Sequence, residues 1–171
     1  MAENMPSEEV TRLLNRFYAV ATDVLLKQDA LVDKLMGDDV MALFLTGVTG
    51  PGCFAKMASA AEGILQGVGF GSAESAWLPV GVGLDFGLAF VGNVGAGDVK
   101  DFTAIGDVVN TAARLQAEAR GGQIVMSDRV YQEVSSRYRD ARAVQLGLKG
   151  KSGPTAARVV EIPSALGGAA R

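Results

Sequence analysis

Residues 98–115, DVKDFTAIGDVVNTAARL, hold the side chains best suited to chemistry. A strand-like run, FTAI, stops at Gly106, and a helical pattern, DVVNTAARL, opens at Asp107. Asn110 and Arg114 stand four positions apart, so both side chains share one helix face. An amide and a guanidinium converging near the start of a helix suit a phosphate or ribose-phosphate ligand. Arg offers a planar fork of donors and keeps its charge at any working pH. Taken alone, the spacing fits a solvated surface helix better than a ligand site, so the rest of the chain must decide.

Composition removes several chemistries. The 171 residues contain no histidine, which excludes His-based triads, His general acid–base catalysis and most zinc sites. The lone Cys53 has no partner for an internal disulfide and no imidazole to activate it; it points to a reducing, cytoplasmic setting rather than a nucleophile. A net charge of −3 argues against broad nucleic-acid binding. No apolar run approaches the ~18 residues of a membrane helix, so no membrane insertion is expected. The start, MAENMPSEE, is acidic and lacks the apolar stretch of a signal peptide. Hydrophobic residues at 49% and charged residues at 20% fit one soluble globular domain with a real core.

The elements that must position these residues follow from periodicity. Val10, Leu13, Leu14, Phe17, Val20, Ala21, Val24 and Leu25 recur at helical spacing. Ser7 is the expected cap of this helix, and Lys27 its approximate end. Residues 31–45 read as two strands around a tight turn at Gly37-Asp38-Asp39, the second arm apolar enough to be fully buried. A loop over 46–52 leads into a helix of small residues over 53–66. Residues 77–92 suggest two glycine-bent strands, and the helix from Asp107 should reach about Ala119. QIVM is a short strand, Ser127 a cap for the helix DRVYQEVS, and 137–148 and 155–162 two closing strands. Residues 163–171 read as a disordered tail. The alternation of helices with hairpin-like strand pairs predicts an α+β fold, one sheet covered by helices.

Three segments, VDKLMGDDVMALF, FTAIGDVVNTAARL and LKGKSG, resemble in order and spacing the catalytic domain of class III nucleotidyl cyclases. PSEEVTRLLNRFYAV, GLAFVGNVG and GGQIVMSDRVY agree with other parts of that family, so the resemblance covers residues 6–162. It implies a ferredoxin-like two-layer sandwich with a largely antiparallel sheet. It implies conversion of ATP to cyclic AMP and pyrophosphate, with Mg²⁺ or Mn²⁺ at a two-metal site. Asp38 matches a metal-binding aspartate of the family, and Asp39 would support it. Lys34 matches the lysine that selects the base, and Thr103 stands at the position of its partner. Asn110 and Arg114 match the pair that orients the ribose and stabilises charge on the α-phosphate. Lys149 matches the lysine that holds the terminal phosphates. Gly150-Lys151-Ser152 only imitates a P-loop, because the first glycine that motif requires would fall on Gln145. In the family each site lies between two head-to-tail subunits, so the resemblance implies a homodimer in which Asp38 and Lys34 serve different sites.

The pattern departs from the family at the front. Family members open with a strand of the form F-x-D-[IL]-x-G-F-[TS], whose Asp is the other metal ligand. No such segment precedes the first helix here, so that strand and one metal carboxylate are expected to be absent. A fragment of a longer cyclase is the favoured explanation, since the remaining positions show no decay. The alternatives are a non-catalytic dimerisation or nucleotide-binding module, or a substitute carboxylate from Glu8, Glu9 or Asp39. A second departure is Leu84-Asp85, which stands where the family usually has a His–Thr pair.

Overall fold

The computed structural model describes residues 5–73, 75–147 and 153–164. Helix α1 (Ser7–Lys27) ends where the periodicity predicts. Its N-cap is Pro6 rather than Ser7, and no side chain caps it. Ser7 is already helical, and its carbonyl accepts a bond from the Thr11 hydroxyl at 2.8 Å. Glu8 and Glu9 at the first turn and Lys27 at the last complement the helix dipole. Phe17, Ala21 and Leu25, four residues apart, form the buried stripe.

Strands β1 (Leu31–Met36) and β2 (Asp39–Leu43) form the expected antiparallel hairpin, closing on the pair Met36–Asp39. Gly37 sits at φ +61°, a left-handed conformation that disfavours other residues. The apolar arm VMALFL is half-buried, not fully buried as its composition suggests. Val40, Ala42 and Phe44 pack on the core while the alternate residues do not, because this hairpin is covered on one face. Helix α2 (Thr46–Thr49) is a single turn within the expected loop, and α3 (Cys53–Gly67) follows.

Strand β3 (Val82–Leu84) is short. The second strand expected within 77–92 begins only at its end. It is β4 (Phe90–Ala96), paired in register with β5 (Val99–Ile105) as a hairpin from Phe90–Ile105 to Ala96–Val99. Helix α4 (Asp107–Glu118) leads to β6 (Gln123–Ser127) and α5 (Asp128–Val134). Ser127 occupies the N-cap of α5 but makes no side-chain cap bond, since its hydroxyl is buried without a hydrogen-bond partner among the described residues. Strands β7 (Arg142–Leu146) and β8 (Thr155–Glu161) close the chain; β7 is shorter than the 137–148 read from sequence. Of the tail 163–171, residues 165–171 lie outside the described residues.

The fold is α+β and largely antiparallel, as expected, but the strands fall into three sheets rather than one, because the hairpins β1–β2 and β4–β5 each pair only within themselves among the described residues. Strands β3, β6, β8 and β7 form one sheet in that order, with β3–β6 its parallel pairing. The free edges of β2 and β3 pair with no other strand among the described residues. Ile124 and Met126 face a core built with α1, α3 and α5, whereas Val125 faces a second cluster with Leu115 of α4. Burial on both faces accounts for the unbroken apolar run of β6. Helix α4 lies tight on β3: a Cβ on Gly83 would stand 2.3 Å from the Gln116 nitrogen and 2.4 Å from the Ala112 oxygen. No helix among the described residues is long and apolar enough to cross a membrane.

Candidate functional site

The β1–β2 hairpin docks on β5 through two polar ties. The Lys34 ammonium forms an ion pair with Asp101. The Thr103 hydroxyl donates to Asp33 Oδ2 at 2.9 Å. Asp101 and Thr103 are two apart on β5 and therefore share a face. Asp33 and Lys34 are consecutive, and in a regular strand they would point to opposite faces. The hairpin register shifts between Val32 and Lys34, so Asp33 is the extra residue of a β-bulge. Bulges re-aim side chains, and this one lets two consecutive residues reach the same neighbouring strand. The structure thus ties both Lys34 and Thr103 across the same pair of strands, Lys34 through Asp101 and Thr103 through Asp33.

The electrostatics follow from these contacts. The hydrogen bond to Asp101 pushes the Lys34 ammonium above its ordinary pKa against the opposing effect of burial, with the charges of Asp101 and Asp33 adding to the rise. Lys34 is therefore a cation at neutral pH. Thr103 is only 8% exposed, so water competes weakly for its hydroxyl. Asp33 Oδ1 is buried and has no hydrogen-bond partner among the described residues.

Asp38 is exposed at the turn of the β1–β2 hairpin. The Tyr18 hydroxyl donates to the Gly37 carbonyl and ties that turn to α1. Burial, then the neighbouring Asp38 charge, raise the Asp39 carboxyl pKa. The oxygen donors of Asp38 and Asp39 suit a hard dication such as Mg²⁺ or Mn²⁺. Among the described residues no group of three or more His, Cys, Asp or Glu side chains comes together. Glu9, considered above as a substitute ligand, pairs with Arg12 of its own helix at 3.9 Å.

Helix α4 begins after Gly106, whose carbonyl accepts from the backbone N–H of Val109 at 3.2 Å and of Asn110 at 3.5 Å. Asn110 is exposed and Arg114 half-buried. Neither side chain makes a hydrogen bond or ion pair with another described residue, so both are available to a ligand. No such contact joins Asp38 to Lys34, Thr103, Asn110 or Arg114. Lys149 and the P-loop imitation over 150–152 lie outside the described residues. Cys53 is buried, and burial pushes its thiol pKa up, which suits an inert packing role.

Sequence reasoning missed Asp33, Asp101 and Tyr18. Asp101 stands two residues before Thr103, so its shared face was there to be read. The bulge at Asp33 has no glycine or proline to announce it.

Comparison with known proteins identifies the family and the fold. The family description "Adenylate and Guanylate cyclase catalytic domain" matches residues 1–159, and the chain belongs to that family. An uncharacterized protein of Mycobacterium tuberculosis is 31% identical over 152 residues, which is 85% of this chain and 28% of the relative. The chain thus spans less than a third of that relative's length. Among solved structures, the guanylyl cyclase Cya2 superposes with a TM-score of 0.74 at 26% identity, covering 94% of this chain and 85% of that one. The adenylyl cyclase CyaB from P. aeruginosa gives 0.73 at 26%, covering 94% and 86%. The guanylate cyclase domain of RhGC from Catenaria anguillulae, in complex with GTP, shares the fold with a TM-score of 0.78 at 17% identity, covering 94% and 88%.

Proposed function

We propose that this domain, spanning residues 6–162, converts ATP to cyclic AMP and pyrophosphate at sites shared between two copies of the chain. The observation that carries the reading is the docking of the bulged hairpin on β5, which ties a cationic Lys34 and a nearly buried Thr103 across the same pair of strands. Lys34 donates to the ring nitrogen of adenine, and Thr103 meets its exocyclic amino group. Asn110 orients the ribose, and Arg114 offers its fork of donors to the α-phosphate as charge builds there. Preorganised donors of this kind typically lower a barrier by about 3–4 kcal/mol each. Lys149 holds the terminal phosphates.

Asp38 of the second copy, with Asp39 beside it, would hold Mg²⁺ or Mn²⁺. A dication held there would supply charge neutralisation at the phosphates and a lowered pKa at the 3′-hydroxyl. The 3′-hydroxyl gives its proton to solvent, its oxygen forms a bond to the α-phosphorus, the bond from that phosphorus to the bridging oxygen breaks, and pyrophosphate leaves with that oxygen. Exposed apolar side chains on the two hairpins, Phe90, Phe102, Ile105 and Leu35, supply surface for the second copy.

The test is cyclic AMP formation by the purified chain with ATP and Mn²⁺ at high protein concentration, followed by mass spectrometry. Product that disappears in Asp38→Ala is the expected result. ATP binding without product, even at high concentration, would reduce the domain to a nucleotide-binding module.

A further inference from the structure

The proton of Thr103 is already committed. A threonine hydroxyl has one proton to donate and two lone pairs that accept. Here the proton goes to Asp33 Oδ2 at 2.9 Å, and an ionised carboxylate has none to return. Only the lone pairs remain for a ligand. We infer that Asp33 is a specificity-determining positioning residue: it fixes the Thr103 hydroxyl as an acceptor and so sets the site for adenine against guanine. The inference rests on the reading of Lys34 and Thr103 as base contacts.

The two purines differ at the group this hydroxyl would meet. Adenine carries an exocyclic amino donor at C6, and guanine carries a carbonyl acceptor there. A free threonine satisfies either by rotating its hydroxyl. A threonine locked by Asp33 satisfies the amino group and turns lone pairs toward the carbonyl. At 8% exposure, Thr103 has little water to bridge the mismatch. Sites built around a directed hydrogen bond reject the wrong partner more strongly than shape alone does, because a buried polar group is left unpaired.

Two further observations mark Asp33 as more than a fastener between strands. Its second carboxylate oxygen, Oδ1, is buried with no hydrogen-bond partner among the described residues, an arrangement that costs stability. It is also the extra residue of the bulge, without which Asp33 and Lys34 would face opposite sides of the hairpin. Local rules are broken twice at one residue, in the strand ladder and in polar satisfaction, and such breaks concentrate at functional sites.

Equilibrium titration of the purified chain with ATP and with GTP, each in the presence of Ca²⁺, tests this without requiring turnover. The parent protein should prefer ATP. Asp33→Ala should narrow that preference about tenfold, chiefly through tighter GTP binding, the scale of one directed hydrogen bond. In a Thr103→Val background the same substitution should leave the preference unchanged, because no hydroxyl remains to be directed. Asp33→Asn, whose amide either accepts or donates, should shift the preference less, and it carries the test should the alanine variant not fold. A parent that prefers ATP and variants that keep the same preference would overturn the role of Asp33 while leaving the adenine reading intact. So would a shift that persists without the Thr103 hydroxyl. A parent that binds ATP and GTP alike, or neither, would remove the adenine reading itself, and this role with it.

Discussion

The four-stranded sheet and the two hairpins solve the same problem in opposite ways. Strand β6 is sealed on both faces: Ile124 is 0% exposed, with α3 and α5 in the core on its side and α4 behind Val125. The hairpins β1–β2 and β4–β5 join each other through an ion pair and a hydrogen bond, and they leave Phe90 60% exposed. The sheet is finished by the chain's own helices. Lys34, Asp38 and Thr103 stand on the hairpins, which also carry an exposed apolar surface, whereas Asn110 and Arg114 stand on α4, the helix behind the sheet. Burial is thus concentrated around the sheet, and the candidate groups lie on the hairpins and on the side chains of α4 that the sheet leaves uncovered.

That division can be broken by experiment. Ile124→Ala should lower the unfolding free energy by about 2–5 kcal/mol, measured by urea denaturation, because a fully buried side chain leaves a cavity. A much smaller loss would mean the sheet is not the stabilising half. Arg114→Ala should reduce turnover about a hundredfold and leave the urea midpoint in place. An unfolded or fully active variant would assign Arg114 to structure or to nothing. Phe102→Ser, on the exposed face of β5, should change monomer stability by about 0.5 kcal/mol or less while weakening self-association in sedimentation velocity. Intact assembly would move the interface elsewhere.

The smallest effect concerns the turn. Folding raises the Asp39 carboxyl pKa, so the folded state holds its proton more firmly than the unfolded state. Stability from this group is therefore present at low pH and lost as pH rises through and just above the ordinary aspartate range. Asp39 lies at the surface, and solvent keeps the loss small. Asp39→Asn should gain slightly on the parent above that range and match it below, as read from melting temperatures across pH.

What the sequence made legible follows the same division. Helices α1 and α4 were readable because their apolar stripes repeat over several turns, and β6 because burial on both faces demands a continuous apolar run. The turn at Gly37 was readable because a left-handed residue wants glycine. Burial of β2 was overestimated, since composition does not reveal that only one face is covered. Strand β4 was placed too early, because its register is fixed by pairing with β5 rather than by its own glycines. Lys34, Thr103, Asp38, Asn110 and Arg114 were all noticed from spacing and resemblance. Asp33 was not, because its place depends on a bulge that exists only when β1 meets both β2 and β5.

The strand order also sets a sequence of events in time. Each hairpin pairs neighbours across a short turn, the kind of closure that takes microseconds. The parallel pairing of β3 with β6 instead spans the β4–β5 hairpin and α4, which lie between the two strands in the chain. Such non-local closure is the slow step in folding. Closing β6 against β3 therefore costs more chain entropy than closing either hairpin.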